Sequence, residues 1–246
     1  NKPELATAWN FLDDHDFPQL SKDLDTLESV ASLLKKKALL NKAGITEVQL
    51  GKLLKSYQKG GARTEATKQV VDGLNDLVSN GTAFKNIDRL IGDLNHGGGN
   101  ISVGAGWVLR GISNKRDDFR DALLEFEVPV NSGSGRIDIK VTDADDYTTF
   151  YEFKTIGKLP PGDFVKQFTR DLVNGDVSSL DQIRWHFEGK ALGKKVFTGE
   201  DRQQLLAELK KLDTSSIDFN KFEKISDREV LFNKLTANFD DIFKII

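Results

Sequence analysis

Residues 135–155 constrain this chain more than any other stretch. Arg136-Ile-Asp-Ile-Lys-Val141 and Thr148-Thr-Phe-Tyr-Glu-Phe-Lys154 read as two strands joined by the acidic run Asp143-Ala-Asp-Asp146. Side chains alternate along a strand. Ile137, Ile139, Val141, Tyr151 and Phe153 therefore share one face, and Asp138, Glu152 and Lys154 the other. A turn centred on Asp145 sets Asp138 opposite Glu152. Two carboxylates facing each other across a ladder repel, so the pair makes best sense with a cation between them. Asp138 and Glu152 suit a hard divalent metal, magnesium first and manganese as its substitute. Lys154 would orient a water or stabilise charge on a phosphate. The Glu-x-Lys triplet alone is weak, because it recurs at Glu188–Lys190 and Glu208–Lys210. The competing reading is an ordinary half-buried hairpin with its polar residues outward.

Asp138 with Glu152-Phe153-Lys154 resembles the PD-(D/E)xK, or restriction-endonuclease-like, nuclease core. The run Phe164-Val-Lys-Gln-Phe-Thr-Arg-Asp-Leu172 resembles that superfamily's next helix. The resemblance implies catalytic roles for Asp138, Glu152, Lys154 and Gln167, metal binding by Asp138 and Glu152, and substrate contacts from Lys166 and Arg170. Trp107–Arg110, Phe126–Val128, Gln182–Phe187 and Asn238–Lys244 are similar to C-terminal toxin domains of bacterial polymorphic toxins. That likeness implies a carrier polypeptide or secretion apparatus, delivery into the cytoplasm of a competitor cell, and a cognate immunity protein. One departure stands out. The superfamily's further acid, expected from the helix before the first strand, falls near Gly106. Glu125 or Glu127 would have to substitute, or the acid has been lost.

The expected fold class is α+β. An N-terminal helical region over 1–95 precedes an αβββαβ core over 101–246 that ends in C-terminal helices. The spacing of Leu24, Leu27, Val30, Ala31 and Leu34 predicts one helix capped by Ser21, and Thr46 starts another. A third runs through Val70–Val78. Asn95-His-Gly-Gly-Gly-Asn100 reads as a domain junction or loop. Helices at Val103–Ile112 and Asp117–Leu123 precede strands Leu123–Val130, Arg136–Val141 and Thr148–Lys154. A helix over Asp163–Val173, a strand over Gln182–Phe187, an edge strand near Val196–Thr198, and helices over Arg202–Leu212 and Asp227–Asn238 follow.

Composition narrows the function. The chain has 246 residues and no cysteine, which excludes disulfides, thiol catalysis and cysteine-based zinc sites. His15, His96 and His186 are too dispersed for a histidine-held metal nuclease. A histidine-glycine loop such as 96–99 also occurs in lipases, but no Gly-x-Ser-x-Gly elbow accompanies it. The absence of methionine predicts a piece of a longer polypeptide, and no apolar run is long enough to span a membrane. A net charge of −3 argues mildly against broad nucleic-acid binding. A basic groove would have to gather from Arg110, Lys115, Arg116, Arg120, Lys158, Lys166, Arg170, Lys190, Lys194 and Lys195. DNA is the first choice of substrate, and RNA, including transfer RNA, the second. A non-catalytic interaction module on the same fold remains the alternative, with a repair or restriction nuclease behind it.

Overall fold

The computed structural model describes residues 3–14, 22–95, 99–129, 135–173 and 176–246. His15, Ser21, His96 and the loop over 131–134 lie outside those residues, so the expectations placed on them are not addressed. Twelve α-helices and a six-stranded mixed sheet are present among the described residues. The strands hydrogen-bond in chain order: β1 (Ala83–Lys85), β2 (Leu123–Pro129), β3 (Arg136–Thr142), β4 (Thr148–Lys154), β5 (Ile183–Phe187) and β6 (Phe243–Ile245). The pairs β1–β2, β4–β5 and β5–β6 are parallel. By its internal contacts the chain divides into two units, Asn1–Phe126 with Val141–Tyr147, and Glu127–Lys140 with Thr148–Ile246.

The first unit is mostly helical: α1 (Pro3–Asp14), α2 (Leu24–Lys35), α3 (Lys37–Lys42), α4 (Glu47–Tyr57), α5 (Ala62–Ser79), α6 (Ile87–Asn95) and α7 (Gly99–Ser113). Local capping chemistry explains where these helices start. Asp23 caps α2, its side chain accepting from the Thr26 N–H at 3.2 Å. Thr46 and Gln49 form a reciprocal capping box on α4, as the sequence expects of Thr46. Asp23 also accepts from Tyr57 Oη at 2.7 Å and from Lys68 Nζ at 2.6 Å. Burial acts to raise its pKa, but Lys68, Tyr57 and Thr26 outweigh it and hold the carboxyl well below the usual range. The expected helix over Asp117–Leu123 is a single 3-10 turn, Arg116–Phe119, which runs into β2.

The second unit builds its core between β4–β5–β6 and the helix α8 (Phe164–Val173). Phe164, Phe168 and Leu172 recur every four residues and are fully buried. Phe164 meets the Trp185 ring edge-on and Phe168 meets it at a tilt, with ring centroids 5.2 and 5.8 Å away, and Phe168 meets Phe243 at 5.5 Å. The remaining helices are α9 (Gly189–Leu192), α10 (Gly199–Leu209), α11 (Arg228–Ala237) and α12 (Phe239–Ile242). Val196–Thr198 is not a strand. Thr198 instead caps α10 in a box with Asp201, and the strand beyond β5 is β6, at the chain's end. No helix among the described residues is long and apolar enough to cross a membrane.

Candidate functional site

Asp138 on β3 and Glu152 and Lys154 on β4 come together with Arg170 of α8, all within the second unit. The turn between the strands is centred where the acidic run suggests. Asp143 N–H donates to Tyr147 O at 3.0 Å, and Asp143 Oδ1 accepts from the Asp145 and Tyr147 N–H groups. Asp138 Oδ2 accepts from the Phe153 N–H at 2.6 Å, which seats its carboxylate beside the Glu152–Phe153 peptide. Glu152 Oε2 accepts from Lys154 Nζ at 2.6 Å, and its Oε1 from Arg170 Nη2, also at 2.6 Å.

The charged face of the hairpin is not a solvent face. Glu152 is only 3% exposed, and Phe150, on the same side of β4, is buried too. Parallel pairing brings Trp185 of β5 beside Glu152, and α8 covers the pair. Lys154 Nζ lies over the Trp185 ring, 4.9 Å from its centroid. The opposite side carries Tyr151 and Phe153, whose rings meet the His186 ring edge-on at 5.3 and 5.4 Å. Both faces are therefore covered, which makes the ionic cluster a buried one.

The sequence reading missed Asp171. It is 2% exposed, and its Oδ1 accepts from Arg170 Nε at 3.1 Å and Nη2 at 2.9 Å. Its Oδ2 accepts from Trp185 Nε1 at 3.0 Å. The one signal in the sequence was spacing: Gln167, Arg170 and Asp171 fall at i, i+3 and i+4, one face of α8.

Burial dominates the electrostatics. It pushes Glu152 well above the ordinary glutamate value, and the neighbouring Asp138 charge adds to the shift. Asp138 is half-buried, and desolvation still raises it against the pull of Lys154, the Phe153 N–H and Arg170. Asp171 is pushed up to about 6 by burial, partly offset by Arg170, Lys154 and Trp185. Burial alone would lower Lys154, but the Glu152 and Asp138 carboxylates win and hold it as an ammonium. Three carboxylates against two cations leave one surplus negative charge when all are ionised.

These residues fit a hard divalent cation by chemistry. The donors are carboxylate oxygens, and the surplus charge is negative. On α8, one turn before Arg170, Gln167 has a buried Oε1 with no hydrogen-bond partner among the described residues. A cation at Glu152 would compete with the two ion pairs it already makes. No group of three or more His, Asp or Glu side chains among the described residues is gathered at metal-ligand spacing. A cation would therefore rely on Asp138, Glu152 and non-protein oxygens.

The other expected residues divide. Lys166 is exposed and lines a shallow cleft with Thr169, Glu208, Lys211 and Asp213. Lys194 is committed to Asp201 at 2.5 Å. Glu125 pairs with Lys85 at 3.7 Å and Glu127 with Arg136 at 3.6 Å. Glu125 and Glu127 alternate with the buried Leu124 and Phe126, and the alternation ends at Glu127, where the backbone turns left-handed (φ 51°). Gly106 is corrected outright. A Cβ there would lie 2.7 Å from Ala66 Cα and 2.9 Å from Ala66 O. Glycine is present because α7 presses against α5, so the position has no room for an acid. The chain matches no family model, no curated protein and no solved structure.

Proposed function

We propose that this chain is a metal-dependent nuclease domain of restriction-endonuclease-like type that cuts phosphodiester bonds in DNA, with RNA or transfer RNA as the second substrate. The observation that carries the reading is the convergence of Asp138, Glu152 and Lys154 with the guanidinium of Arg170. The element order α7–β2–β3–β4–α8–β5 is compatible with it. Asp138 and Glu152 would hold magnesium or manganese, which supplies charge stabilisation at a phosphoryl oxygen and a lower pKa for a bound water. Lys154 is held charged, so it serves as a donor to water or to a phosphate oxygen rather than as a general base. Gln167 orients water or substrate through its amide. Arg170, and Lys166 at the outer edge of α8, take phosphates. The toxin role, with its carrier, delivery into a target cell's cytoplasm and cognate immunity protein, rests on the sequence resemblance alone.

One observation favours the alternative of an inactive interaction module. Glu152 already has a cation on each oxygen, so the cluster is nearly neutral without a metal. Incubating the protein with plasmid DNA, and separately with pooled transfer RNA, in magnesium or EDTA separates the two readings. Magnesium-dependent cutting that is lost in a Glu152→Ala, Lys154→Ala variant is expected, by a factor of at least ~100. The pool that is cut identifies the substrate. No cutting of either pool would leave the interaction module as the better reading.

A further inference from the structure

Arg170 is anchored twice, and only one anchor belongs to the proposed metal site. Its Nη2 bridges Glu152 Oε1 at 2.6 Å and Asp171 Oδ1 at 2.9 Å, while its Nε holds the same Asp171 oxygen at 3.1 Å. Asp171 is itself fixed from behind by Trp185 Nε1, and Trp185 is fully buried. The chain also leaves space for the guanidinium. A Cβ on Gly135 would lie 2.6 Å from Arg170 Cδ and 2.9 Å from its Nη1. A cation entering at Glu152 would repel a guanidinium that had no other partner. The buried Asp171 carboxylate opposes that repulsion and keeps the planar group in place.

We propose that Asp171, locked by Trp185, is a positioning residue that retains Arg170 at the site when Glu152 exchanges its Arg170 ion pair for a divalent cation. The released edge of the guanidinium then receives a phosphate of the nucleic-acid substrate. Asp171 touches neither metal nor substrate and acts through Arg170. The inference rests on the nuclease reading and extends it to two residues which that reading does not need.

Two readouts test it without relying on turnover. In nitrogen-15 spectra of the intact chain, the protected Arg170 Nε–H signal should persist through magnesium saturation, and it should be lost in Asp171→Asn. Affinity for a phosphorothioate oligonucleotide that resists cleavage, measured in magnesium, should fall about tenfold in Arg170→Gln and in Asp171→Asn, and no further in the double variant. Trp185→Phe, which keeps the carboxylate but removes its rear donor, should lose part of that affinity and provides a second variant if Asp171→Asn does not fold. Additive losses, or disappearance of the Nε–H signal when magnesium binds the wild type, would overturn the inference while leaving the nuclease reading standing. A wild type that binds neither magnesium nor oligonucleotide sinks both.

Discussion

At the scale of single residues, Asp171 carries a measurable signature whatever the substrate. Its folded pKa stands near 6 against an ordinary value of 3.8, because burial penalises the carboxylate more than Arg170 and Trp185 favour it. A raised acid stabilises the fold while protonated. That contribution is complete below about pH 4 and is lost as pH rises through 6, up to about 3 kcal/mol. Urea unfolding in EDTA from pH 4 to 7 should show a downward slope that flattens in Asp171→Asn. An unchanged slope would mean that Asp171 is ionised throughout. Asp138, Glu152 and Lys154 were legible because a strand's alternation fixes which residues share a side. Asp171 was not. An acid next to an arginine on an amphipathic helix reads as a solvated pair, and only the Trp185 N–H behind it reveals that it is buried. Gly106 misled for the converse reason: what a glycine permits depends on the surface it meets, here Ala66 of α5.

At the scale of elements, that close approach is a repeated device. A Cβ on Gly73 of α5 would meet Ser113 Oγ at 3.0 Å and Leu109 Cβ at 3.1 Å, seven residues along from the Ala66–Gly106 contact on both helices. The two helices therefore run in the same direction and touch through small residues one heptad apart. Gly106→Ala should cost about 1–3 kcal/mol through overpacking, measurable as a lower urea midpoint with an unchanged m-value. Gly106→Glu should lose more stability and should not create a metal ligand. Strands β3, β4 and β5 and helices α2, α8 and α11 were readable from periodicity to within a few residues, whereas α5 begins at Ala62, eight residues before the apolar run from Val70. Strands β1 and β6 were not, because each has three residues, too few for a period of two to declare itself. The start of α10 shifted from Arg202 to Gly199 because the Thr198–Asp201 box, not the apolar pattern, sets it.

At the scale of the whole molecule, net charge limits how the chain can hold nucleic acid. With 35 Lys and Arg against 38 Asp and Glu, there is no excess of positive charge to draw in a polyanion. Many of its cations are already paired within the protein: Lys68 with Asp23, Lys140 with Asp176, Lys194 with Asp201 and Arg202 with Asp240. Lys154 and Arg170 are engaged at the site itself. Affinity for a phosphodiester must then come from a few placed groups and the cation they accompany, not from a broad basic surface. Counterion release follows from this. Each neutralised phosphate contributes about −0.9 to the slope of log K against log salt on a duplex. A site that engages roughly three phosphates predicts a slope near −3, far below that of a protein binding across a basic face. Anisotropy titrations of a labelled duplex that resists cleavage, at a fixed magnesium concentration and from low to moderate salt, measure it directly. A slope near −3 that shrinks by about one in Arg170→Gln would place the binding at this cluster. A slope of −6 or steeper, unaffected by Arg170, would put the nucleic acid elsewhere on the chain and separate binding from the Asp138–Glu152–Lys154 site.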